Sequence, residues 1–170
     1  MSRGLGDVYK RQLQPSSESG AESALQTDLD IRKDAEFNSG TVGRRAYNEG
    51  TISDGTFQRE VYNYGTISNG TFQWEVTNEG TISGGIFQRR VYNYEIISDG
   101  TFQGNVRNYG TISGGTFEEA VGVYASSRTE AKIEGGTFEK DMTLANDDAP
   151  ITIKDGLFDG EVVTCLLYTS

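Results

Sequence analysis

The chain has 170 residues, with 25 Asp and Glu against 15 Lys and Arg, a net charge of −10, no His and one Cys. Such an acidic surface argues against nucleic acid and anionic membranes, both of which need basic side chains. Without His the commonest general base and metal ligand is missing, one Cys makes no internal disulfide, and no run of about 18 apolar residues could span a bilayer.

In chain order, the opening MSRGLGDVYKRQ and the closing CLLYTS share no pattern with the middle. Both resemble peptides translated from sequencing-adapter DNA at the edges of assembled metagenomic fragments, which divides the chain into 1–12 and 164–170, expected to be foreign, and a native part between them. Residues 13–33 are polar with little periodicity and read as a linker or a short helical cap. Residues 34–163 repeat themselves. Ile52, Ile67, Ile82, Ile97 and Ile112 stand fifteen apart, as do Phe57, Phe72, Phe87, Phe102 and Phe117, and Val61, Val76, Val91, Val106 and Val121. The same spacing of five and four residues recurs in Phe37, Val42 and Ala46, in Ile133, Phe138 and Met142, and in Ile153, Phe158 and Val162. Eight units result, and the surplus residues at 122–132 and 143–150 are expected to bulge from the coil junctions.

Each unit holds three short pieces, such as TIS, TFQ and VYN, with an apolar residue flanked by polar ones: the period of a half-buried strand. Gly40, Gly55, Gly70, Gly85, Gly100, Gly115, Gly136 and Gly156 fill one column without exception, after Ser, Asp, Asn or Gly. That pairing marks a tight turn at positive φ. A second column, Gly50, Gly65, Gly80 and Gly110, admits Glu95 and marks a less demanding turn.

Three buried side chains cannot offset the entropy of ordering fifteen residues. Stacked in register, however, each strand gains hydrogen bonds on two sides and the apolar columns align. The fold class is therefore all-β: a single-stranded parallel β-helix of about eight fifteen-residue coils, roughly 40 Å long at about 4.8 Å per coil, with right-handed coiling the favoured sense. Asn48, Asn63, Asn78, Asn93 and Asn108 fit an inward amide ladder, each donating to the next.

Among outward residues, Tyr47, Tyr62 and Tyr92 share one column, and Tyr64, Tyr94 and Tyr109 another. Alternation within VYNY places both on one face, so Tyr62, Tyr64, Tyr92, Tyr94 and Tyr109 are the candidate ligand-binding residues. Cross-strand packing is the structural alternative. Arg59, Trp74 and Arg89 form a further column suited to a cation–π stack. Carboxylates are the candidates for chemistry. Asp54 and Asp99 stand three coils apart, too far for paired acid–base work. Glu60 and Glu75 are adjacent, but Arg90 follows them, and Asp147 and Asp148 are too few for a metal site. No catalytic residue, cofactor or metal is implied. The outward Thr-x-Ser array resembles ice-binding solenoids, with Ile96 breaking its Thr column.

The phrase NYGTISGGTFEEAV at residues 108–121 resembles the GGTF-type repeats of large, adhesin-like bacterial surface proteins, a likeness extending over about 37–163. The resemblance implies an extracellular location at the bacterial cell surface and a structural or adhesive role toward glycans or surface proteins. It transfers no catalytic residue, while the acidic charge and the lack of a long apolar run set the expectation of no nucleic-acid partner and no direct membrane insertion. The alternatives are a polysaccharide-acting β-helix enzyme and an ice-binding solenoid.

Overall fold

A computed structural model describes residues 24–126, 129–146 and 149–166. They form a parallel β-helix in which every coil contributes strands at three positions. The first position is taken by short strands such as β5 (Thr51–Ile52) and β8 (Thr66–Ile67), the second by β6 (Thr56–Phe57) and β9 (Thr71–Phe72). The third holds β4 (Ala46–Asn48), β7 (Val61–Asn63), β10 (Val76–Asn78), β12 (Val91–Asn93), β14 (Val106–Asn108), β17 (Val121–Ala125), β20 (Met142–Asn146) and β23 (Val162–Leu166).

The repeat period is the pairing register. Ile52 pairs with Ile67, Phe57 with Phe72 and Val61 with Val76, all parallel. The divergent units join the same columns: Phe37 pairs with Ile52, Val42 with Phe57, and Ala46 with Val61. At the other end Ile133, Phe138 and Met142 pair with Ile153, Phe158 and Val162. The third positions form a nine-stranded sheet. The first and second merge into another, because β11 (Thr81–Phe87) and β13 (Ile96–Phe102) run unbroken through their glycine turns, with an irregular register at Ser83.

Three columns build the interior. Phe57, Phe72, Phe87, Phe102 and Phe117 are fully buried and stack nearly parallel, with ring centroids 4.7–5.0 Å apart. The Ile and Val columns are equally dry as far as Ile133 and Met142, but in the last coil Ile153 and Val162 are exposed. Among the described residues the Asn column is the one polar element inside: Asn48 donates to Asn63 at 2.6 Å, Asn63 to Asn78 at 2.6 Å, Asn78 to Asn93 at 2.7 Å and Asn93 to Asn108 at 2.7 Å. Each amide also reaches backbone carbonyls, as Asn78 does at Gly80 and Ile96. Burial of these amides is tolerated because their hydrogen bonds are made. Aliphatic residues terminate the ladder at both ends, Ile31 beside Asn48 and Val123 beside Asn108.

The invariant glycine column has the backbone expected of it. Gly70 lies at φ +121°, beyond the left-handed region that Asn or Asp can reach, and its seven equivalents are similar. The second glycine column differs from expectation in kind. Its φ values are ordinary, but a Cβ on Gly65 would overlap the Gly50 carbonyl of the preceding coil. The demand there is steric rather than dihedral. Beside Glu95, the exception, the Ile96 N–H to Gly80 carbonyl bond lengthens to 3.1 Å from 2.9 Å at the two coils before it.

Two expectations about boundaries need correction. The described part of the expected linker, from residue 24 on, contains no helix. It carries β1 (Leu29–Ile31), paired in register with β4, and Leu25 bridges to Val42. Leu25 and Leu29 therefore continue the Phe and Val columns and cover the first coil. The surplus residues do not simply bulge. Residues 124–125 and 145–146 lengthen β17 and β20 to five residues each, and Ala125 and Ala145 are buried. Beyond β17, Ser126 and Thr129 pair antiparallel. Residues 1–23 and 167–170 lie outside the described residues, while β23 runs through Cys165 to Leu166 alongside β20.

Candidate functional site

Third-position strands bury their first and last residues and turn the middle one outward. Tyr47, Tyr62 and Tyr92 occupy that middle place and are half-buried. Tyr64, Tyr94 and Tyr109 follow the buried Asn into the turn, Tyr64 at 49% and Tyr94 at 43% exposure. The five expected residues do not make one platform. Tyr62 stacks on Tyr47 at 5.2 Å near the first coils, and Thr77 separates this pair from Tyr92. Tyr64 stacks on no other ring among the described residues, since Glu49 and Glu79 precede and follow it in its column.

Further along the rod the tyrosines converge. Tyr94 stacks on Tyr109 at 5.0 Å, and Tyr109 on Tyr124 at 5.1 Å. Tyr92 is approached by two guanidiniums, Arg90 at 5.9 Å and Arg107 at 5.7 Å from its ring, and Arg90 donates a hydrogen bond to its hydroxyl at 3.2 Å. Burial pushes the Tyr109 phenol above its ordinary value, and Tyr94 beside it adds to the effect. Rigid, partly exposed rings with cations at their edges supply contact area at small entropic cost. Tyr124 is the member that the sequence reading missed. It stands fifteen residues after Tyr109, in phase, but within a segment taken for an insertion.

The other candidates have structural partners. Glu60 faces Arg45 at 3.7 Å and Glu75 faces Arg90 at 3.9 Å, so each carboxylate of the adjacent pair has its own cation. Arg45 is held above its ordinary pKa by Glu60 first and Tyr47 second. Asp54, Asp99 and Asp155 accept hydrogen bonds from the N–H groups of Gly55, Gly100 and Gly156, which makes them turn residues. The hydroxyls of Ser68, Ser83, Ser98 and Ser113 donate to carbonyls of the preceding coil. Arg59 lies over Trp74 at 5.8 Å, giving the expected cation–π contact for that pair. Asp147 and Asp148 lie outside the described residues.

No helix among the described residues is long and apolar enough to cross a membrane. Comparison of the chain with known protein families, curated proteins and solved structures finds no match.

Proposed function

We propose that this chain is a non-catalytic structural and adhesive segment of an extracellular bacterial surface protein: a stiff rod that presents a binding face to glycans or to surface proteins. The observation that carries the reading is the cluster of Tyr92, Tyr94, Tyr109 and Tyr124 with Arg90 and Arg107. These large side chains remain partly exposed on a scaffold whose other recurring residues are accounted for by packing, turns or ladder hydrogen bonds. A parallel β-helix suits the role because each coil is held by its neighbours and the ladder repeats without a flexible joint. The GGTF-like phrase supports the extracellular placement.

The test is retention of the chain on immobilised glycans and on cell-surface protein preparations, beside a Tyr94→Ala/Tyr109→Ala double variant. Retention that falls about tenfold in the variant, the scale of losing two aromatic anchors, supports the adhesive face. If the parent chain is retained on nothing, the protein is reduced to a spacer. Release of sugars from acidic polysaccharides, lost in Glu60→Gln/Glu75→Gln, would replace the proposal with an enzymatic one.

A further inference from the structure

A second surface lies at the turn between the second and third strand positions. The column there runs Arg59, Trp74, Arg89, Gly104, Glu119, so large side chains stand on either side of a missing one. The result is a groove of about 600 Å³ around Gly104, within the size range of small-ligand sites. Gly104 sits so close to the Arg89 backbone that a Cβ would overlap it. The notch therefore belongs to the backbone path as well as to the absent side chain.

The lining has a definite chemistry. Trp74 is 44% exposed and forms an aromatic wall. Gln88, Gln103 and Asn105 add amides, each both donor and acceptor. Arg89 forms no ion pair among the described residues, and Glu75 and Glu119 supply carboxylates at the edges. An anion would leave the amide carbonyls unused and would meet Glu75 and Glu119 as well as Arg89 and Arg90, a lining with no net positive charge on a chain of net charge −10. A peptide would have to leave several of these groups unpaired beside its own side chains. Hydroxyls both donate and accept, and the apolar face of a pyranose ring lies flat on an indole.

We infer that the Trp74–Gly104 groove binds an uncharged oligosaccharide, its ring stacked on Trp74 and its hydroxyls paired with Arg89, Gln88, Gln103 and Asn105. The inference deepens the adhesive reading but rests on different residues. Arg90, which lines the groove and also bonds Tyr92, belongs to both surfaces and is left unchanged in the test.

Trp74 is the only tryptophan in the chain, so its fluorescence reports this groove alone. Cellohexaose, xylohexaose and mannohexaose are titrated as neutral probes and a galacturonate hexamer as the anionic one. A saturable change with at least one neutral probe is expected, with the anionic probe at least about tenfold weaker. Arg89→Gln and Gln103→Ala, both exposed changes, are expected to weaken the neutral probe by about tenfold each, the loss of one strong hydrogen bond. Tyr94→Ala/Tyr109→Ala should leave this titration unchanged, which separates failure of the groove from failure of the tyrosine face. No saturable change with any neutral probe, equal binding of the anionic one, or indifference to Arg89→Gln and Gln103→Ala would each overturn the assignment.

Discussion

Replacing Asn78 by Ala perturbs the centre of the amide ladder, and its cost can be worked from the contacts. Asn78 accepts from Asn63 at 2.6 Å and donates to Asn93 at 2.7 Å, with no exposure to water. Truncation leaves the Asn93 side-chain carbonyl without its donor in a dry interior and removes one acceptor of Asn63, whose amide keeps the Gly65 and Thr81 carbonyls. The orphaned carbonyl costs about 1–3 kcal/mol and the hydrogen bond lost at Asn63 about 0.5–1.5 kcal/mol, so the expected loss is about 1.5–4.5 kcal/mol. Asn108→Ala is the internal control, because Asn108 ends the ladder against Val123: the Asn93 amide keeps the Glu95 and Thr111 carbonyls, and the Gly110 carbonyl keeps the Lys132 N–H, so no group is orphaned. Its expected loss is about 0.5–1.5 kcal/mol. Urea unfolding followed by circular dichroism measures both, provided the slope m is unchanged. Equal losses at the two positions, or a loss below about 1 kcal/mol at Asn78, would refute the idea that the amides act as a connected chain.

Phe87→Ala removes a fully buried ring stacked at 4.7 Å on Phe72 and 4.8 Å on Phe102, and is expected to cost about 3–5 kcal/mol in the same assay. Gly70→Ala forces a side chain to φ +121° and should cost about 1–3 kcal/mol, where an exposed Gln73→Ala costs little. Tyr109 carries a folded pKa raised above 10.0, chiefly by burial, so the neutral phenol is the form that folding favours. Its contribution is fully present below pH 10.0 and is lost as pH rises through the folded value. Tyr109→Phe should therefore show a smaller alkaline fall in urea midpoint than the parent chain.

The columns were legible because residues that stack on copies of themselves must recur at the coil length. Phe57 and Asn63 are examples: each touches its own equivalent in the next coil, so periodicity in the chain is contact in space. What breaks the period was hidden for the same reason. Leu25 and Leu29 precede Val42 and Ala46 by seventeen residues, and the two extra residues obscured a partial coil that continues the same columns. Tyr124 lay in phase, but the lengthening of β17 that carries it was not visible from a count of surplus residues. The tyrosine face was half legible. Alternation placed Tyr92 and Tyr94 outward, yet only the pairing shows that Thr77 and Glu79 divide the tyrosines into two groups. The groove at Gly104 had no signal of its own, since a missing side chain acquires meaning only when its neighbours in the stack are known.

In-register stacking is tested most directly by distance. With Cys165 replaced by Ser, spin labels at Gln58→Cys and Gln103→Cys span three coils, and labels at Gln58→Cys and Glu139→Cys span five, all in one column. Electron spin resonance should give separations centred near roughly 14 Å and 24 Å, rising by about 4.8 Å per coil. Separations that do not grow in proportion to coil number, or that reach several times these values, would contradict the stack and everything built on it.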